Sequence, residues 1–178
     1  MANDANGQKA VKSLVSHANP RGPAPVHLWN PEYCGEIDIR IARDGTWFHE
    51  GGPITRPQMV QLFSSVLKRE GDAYFLVTPA EKLKIVVEDA PFVVTGLDAA
   101  GGVIVLHTAT GEMLPLGPDH ALRVEDPQGT PAPYVHVRGG MEALIDRKTF
   151  YLLIDMAVDE AGELVLHSGG HRMSLGFY

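Results

Sequence analysis

The sequence predicts an α+β protein of two small domains built from a duplicated hairpin-plus-helix motif. Three observations predict it. A phrase made of a glycine turn, a short apolar run, a histidine and a second turn recurs as DGTWFHEGG from Asp44, GGVIVLHTATGEM from Gly101 and AGELVLHSGGHRM from Ala161. Two segments of helical period, starting near Thr55 and Asp146, break into the strand-like alternation. Sliding the chain by sixty residues also lays Tyr74 on Tyr134, Val77 on Val137, Ile85 on Ile145, Gly102 on Gly162 and His107 on His167, although it sets the strand-like FVVTGL against the helical stretch near Leu152.

Residues 1–25 read as a flexible N-terminal arm, because Asn19-Pro20-Arg21-Gly22-Pro23-Ala24-Pro25 sustains neither helix nor central strand; a short helix over Lys9–His17 is the one regular element expected there. The first domain covers 26–90. In GEIDIRIARDG, Ile37, Ile39 and Ile41 alternate with Asp38, Arg40 and Ala42, the period of a half-buried strand, and Asp44-Gly45 turns it into TWFHE. Thr55 and Gln58 form a capping-box pattern around Pro57, and Met59, Leu62, Phe63, Val66 and Leu67 make a helical stripe that runs to Gly71. Strands follow at AYFLVT and KLKIVVE, and Pro91 marks the boundary.

The second domain, 91–178, is β-rich. FVVTGLD, GVIVLHT, MLPL, ALRVE and PYVHVR read as strands between glycine, proline and aspartate turns. Asp146 is an N-cap for the amphipathic helix DRKTFYLLIDMAVDE, which would bury Phe150, Leu153, Ile154 and Ala157; the hairpin from ELVLHS to HRMSL follows it.

With 178 residues, 44% of them hydrophobic, the chain has material for one ordinary core or two small ones. A net charge of −7 argues against wrapping a nucleic acid polymer, which needs a basic surface to displace counterions. The lone cysteine, Cys34, excludes an intramolecular disulfide and suits a reducing cytoplasm. No stretch approaches a membrane span or a signal peptide, so the expected setting is cytoplasmic.

The chemistry-bearing residues give few signatures. His49, His107 and His167 sit at equivalent places in the three phrases, without the spacing of a zinc or iron site; each reads as a half-exposed histidine closing a hairpin. Cys34 has no activating context, and Ser168 in HSGG lacks the flanking glycines of a nucleophile elbow. The glycine pairs read as turns, with one to watch: Gly139-Gly140, preceded by Arg138 and followed by Arg147 near a helix start, where amides and guanidinium groups could hold an anion.

The phrases WNPEYCGEIDIRIARDGTWFHEGGPITR, LVTPAEK, VEDAPFVV and PYVHVRGGMEALIDRKTFY resemble a bacterial family known as domain of unknown function 1285, from about Trp29 to the C-terminus. The resemblance brings no catalytic residues. It implies two α+β domains arising by duplication, a C-terminal half similar to a pleckstrin-homology-like fold, and a signalling role with a nucleotide-type ligand in the crevice between the halves.

The reading is therefore a non-catalytic ligand-binding or regulatory protein for a small anionic, nucleotide-like molecule, with no cofactor. Arg40, Arg56, Arg138 and Arg147 would contact phosphate or carboxylate groups, Lys84 would add charge, and Trp47 or Tyr134 would stack on a base. Two alternatives stand beside it: an enzyme with a histidine-based metal or acid-base site, and a protein-interaction adaptor using strand edges or a helix face.

Overall fold

The computed structural model describes residues 22–178; the helix expected over Lys9–His17 lies outside them. The chain divides between Asp89 and Ala90 into two units. In the first, a 3-10 turn at Val26–Leu28 precedes β1 (Tyr33–Ile41), β2 (Trp47–His49), β3 (Gly52–Pro53), helix α1 (Pro57–Ser65), β4 (Leu67–Glu70), β5 (Ala73–Val77) and β6 (Lys82–Val87). They form one sheet in the order β3-β2-β1-β6-β5-β4. It is two antiparallel three-stranded meanders joined by the parallel pair β1 and β6.

Alternation in β1 decides which face is dry. Ile37, Ile39 and Ile41 are buried together with Trp47, Leu67, Leu76, Leu83 and Ile85. Phe63 of α1 stacks on the Trp47 ring at 6.3 Å between centroids and 23° between planes, which fixes the helix on that side. Pro57 occupies the start of α1 as its spacing predicts, but the Thr55–Gln58 capping box does not form: the N-cap is Arg56, with no side-chain cap bond. The helix is also shorter than its stripe. It stops at Ser65, and Leu67–Glu70 pairs with β5 instead, because a turn at Gly71 (φ 59°) sends the chain back beside it. Within the stretch expected as an arm, Ala24 is buried and its amide donates to Ser65 O at 2.9 Å.

The second unit contains β7 (Phe92–Ala100), β8 (Val103–Thr108), β9 (Met113–Pro115), β10 (Leu122–Glu125), a 3-10 turn at Pro127–Gly129, β11 (Ala132–Arg138), β12 (Met141–Ile145), α2 (Arg147–Met156), β13 (Val158–Glu160), β14 (Glu163–Ser168) and β15 (His171–Phe177). Its large sheet runs β10-β11-β12-β7-β8-β9, with β7 and β12 parallel, and β13-β14-β15 form a separate three-stranded sheet. Read from the first meander outward, this is the strand order of the first unit. The helix differs in place: α1 joins the two meanders of its sheet, whereas α2 follows the sixth strand and leads to a third meander.

Each recurrent phrase spans the turn into the middle strand of a meander, β2, β8 or β14. The sixty-residue shift lays β5 and β6 on β11 and β12, their counterparts in strand order, and β8 on β14. Asp146 caps α2, its Oδ1 accepting from Thr149 N at 2.7 Å. The helix expected to continue through Glu160 ends at Met156, because Val158–Glu160 pairs with Glu163–Val165 as an edge strand. The architecture is thus two-domain, mixed α+β, mostly strands with two α-helices among the described residues. No helix among those residues is long and apolar enough to cross a membrane.

Candidate functional site

Four of the seven expected binding residues, Arg40, Trp47, Arg56 and Lys84, lie in the first unit; Tyr134, Arg138 and Arg147 lie in the second. The two stacking residues are corrected by burial. Trp47 is 2% exposed with its face against Phe63, and Tyr134 is 6% exposed, packed with Ala90, Ala132 and Leu144. Arg123 covers the Tyr134 ring at 4.6 Å and is itself clamped by Glu142 and Glu125, which raise its pKa. Neither ring offers a free face to a ligand.

The anion-binding arrangement expected around Gly139-Gly140 does not form either. Gly139 and Gly140, both at positive φ, make the tight turn between β11 and β12, while Arg147 starts α2 beyond the far end of β12. Five strand residues separate them, about 17 Å at 3.3 Å per residue. Arg138 is already occupied: its guanidinium lies 5.0 Å from the Phe92 ring centroid and its Nη1 donates to Glu112 Oε1 at 3.3 Å. Glu112 is held in turn by the hydroxyls of Thr108 and Thr110. This half-buried cluster pins the β8–β9 turn to the end of β11.

Arg40 and Lys84 do share a surface. Strand pairing sets Arg40 opposite Val86 and opposite Phe48, and Lys84 opposite Glu36 and opposite Phe75, so all six side chains belong to the face of the first sheet opposite its isoleucine core. Arg40 lies 4.3 Å from the Phe48 ring centroid and ion-pairs with Glu88, whose other oxygen accepts from Arg43 N at 3.1 Å. Lys84 is exposed, with Glu36 Oε1 at 4.0 Å.

Next to them lies a group that composition alone did not single out. The Tyr33 ring, 55% exposed, meets Phe75 edge-on at 6.3 Å, and Lys82 Nζ stands 5.0 Å from the same Phe75 ring. Lys68 is opposite Phe75 on β4, and its Nζ donates to Trp29 O at 3.0 Å. Lys82 and Lys68 share Glu70, at 2.9 and 3.2 Å; the hydrogen bond from Lys82, then that from Lys68, holds the Glu70 carboxyl below its usual pKa. Three lysines therefore surround one aromatic pair, against the carboxylates of Glu70 and Glu36. The Lys82/Lys84 alternation signalled part of this; Tyr33 was hidden because Gly35, at φ 116°, interrupts the period of β1.

Arg56 and Arg147 are exposed at the starts of α1 and α2, where the helix dipole disfavours cations. The three hairpin histidines each face a carboxylate: His49 Nε2 is 3.9 Å from Glu50, His107 Nε2 is 2.7 Å from Asp98, and His167 Nε2 is 2.8 Å from Glu160. Among the described residues no three histidine, cysteine or acidic side chains gather to hold a metal ion. The Ser168 hydroxyl is buried and bonded to main chain on both sides, donating to Leu116 O and accepting from Ile104 N, both at 2.9 Å.

Two family models cover the chain almost end to end: the N-terminal domain of DUF1285 matches residues 24–90 and its C-terminal domain residues 91–175. The crystal structure of a DUF1285 family protein from Silicibacter pomeroyi DSS-3 is similar at 49% identity and a TM-score of 0.87, covering 94% of each chain. A DUF1285 family protein from Shewanella baltica OS155 shares the fold at a TM-score of 0.56 and 24% identity, over 66% of this chain and 90% of that one. No curated protein matches. With both halves matched in order, and a relative 49% identical along nearly its whole length, this chain belongs to the DUF1285 family, domain of unknown function 1285.

Proposed function

We propose that this protein is a non-catalytic ligand-binding module with a regulatory role in signalling, and that it recognises a small anionic, nucleotide-like molecule. The observation that carries this reading is the outer face of the first sheet, where the exposed Tyr33 stands beside Lys82 and Lys84 above the buried Phe75 ring, with Arg40 on the same face. A planar base packs on the exposed Tyr33 ring, and phosphate oxygens take Lys84, whose own partner at 4.0 Å is an exposed and weakly coupled carboxylate. Lys82 and Lys68 add positive potential while Glu70 keeps them in place. Arg40 contributes less than the sequence suggested, since Glu88 already occupies it.

Duplication of the six-stranded sheet and a pleckstrin-homology-like second unit belong to the same proposal. What supports them is the common strand order of the two large sheets and the packing of α2 against β7 and β14.

Titration calorimetry with nucleotides, cyclic dinucleotides and phosphorylated metabolites tests the reading. Lys84→Ala and Tyr33→Ala should each weaken a hit about tenfold, equivalent to about 1.4 kcal/mol. Arg147→Ala, in the other unit, should leave affinity unchanged. Binding that is indifferent to both first-unit variants, or no binding across the panel, defeats the proposal.

A further inference from the structure

We propose that the outward face of α2 is an interface for a second copy of this chain, the two helices packing antiparallel about a two-fold axis. The inward side of α2 is formed by Thr149, Phe150 and Leu153, all buried. Its other side is apolar too: Tyr151 and Leu152 are 56% and 41% exposed, and Met156 and Val158 continue the exposed apolar surface into β13. A helix that is apolar on both sides is normally covered on both.

The charges say by what. Lys148, Tyr151, Leu152 and Asp155 follow one another at spacings of three, one and three residues, a single stripe along the helix. Lys148 and Asp155 are exposed, and neither enters an ion pair among the described residues. Their order opposes the macrodipole: Arg147 and Lys148 stand in the first turn with no acidic residue, and Asp155 stands in the last turn with no basic one. An isolated helix gains nothing from that arrangement. Turning a second copy about the midpoint between Tyr151 and Leu152 lays Lys148 on Asp155 of the second copy and Asp155 on its Lys148, with Tyr151 against Leu152 at the centre. The stripe is thus self-complementary in the antiparallel sense, as a two-fold interface requires. A ten-residue helix face plus Val158 is smaller than a standard interface, so association is concentration-dependent.

Sedimentation equilibrium of the full chain at low salt is the test. Lys148→Glu and Asp155→Lys should each weaken self-association at least about tenfold by setting like charges together, and Leu152→Glu should abolish it. The double variant Lys148→Glu with Asp155→Lys should restore it. Each single reversal suits the macrodipole better than the native charge, so helical circular dichroism should be kept, which separates lost association from unfolding. A chain that stays monomeric up to about 1 mM, a dimer insensitive to these variants, or a double variant that fails to recover overturns the proposal.

Discussion

Ser168 is where a single oxygen atom has the most to hold. Its side chain ends β14, and its buried Oγ serves two main-chain groups of the neighbouring sheet, accepting from Ile104 N and donating to Leu116 O, both at 2.9 Å. Gly169 N adds a bond to Gly102 O at 2.9 Å. Ser168→Ala removes one oxygen and little volume, so its cost is polar. The Ile104 amide is left without this acceptor, worth about 1–3 kcal/mol, and the Leu116 carbonyl loses a donor, worth about 1 kcal/mol net. The expected loss is about 2–4 kcal/mol, which lowers the melting temperature of a unit of this size by about 10–20 °C. Urea denaturation followed by amide exchange at Ile104 reads it directly. Ser174→Ala is the control: its exposed hydroxyl accepts from Gly176 N at 3.2 Å and bonds the Glu163 carboxylate, both where water can take its place, and the cost should stay within about 1 kcal/mol. A Ser168→Ala loss as small as that of Ser174→Ala would refute the reasoning.

Further outcomes follow from the same contacts. Trp47→Ala empties the centre of the first unit and should cost about 3–5 kcal/mol in calorimetry, whereas an exposed ligand-stacking Trp47 would cost far less. Asp146→Ala removes the acceptor for Thr149 N and should cost about 1 kcal/mol, with Asp146→Asn recovering most of it. Arg172, then His167, bonds Glu160, and Arg172, then Ser174, bonds Glu163; these contacts lower both carboxyls below the usual glutamate value of 4.5. Because the folded-state pKa is depressed, their contribution is present above pH 4.5 and is lost as pH falls through the folded values. Amide protection in β13-β14-β15 should therefore hold between pH 5 and 7 and decline below about 4.5; Arg172→Met should flatten that decline.

Local patterns were legible where one chemical rule decided the outcome. Alternation exposed β1 and β6, glycine turns marked the three recurrent hairpins, and Asp146 announced α2. Helix ends were not legible, because Leu67–Glu70 and Val158–Glu160 carry residues compatible with either period and become strands only through partners at β5 and β14. Strand β12 (Met141–Ile145) was missed as well: it pairs with β11 across the Gly139-Gly140 turn and with β7, far away in sequence.

The sequence by itself determined the β-rich α+β character, the family, the three hairpins and the residue types from which an anion site is made. Those properties depend on side-chain period, turn chemistry and charge, all of which are local. Only tertiary structure decided which residues face out. Pairing put Lys82, Lys84 and Tyr33 around Phe75, while packing drew Trp47 and Tyr134 inward and tied Arg138 to Glu112. An aromatic or arginine reads the same in a sequence whether it lines a site or fills a core. The difference is set by which strand lies beside it, and that choice depends on burying apolar area across long sequence separations.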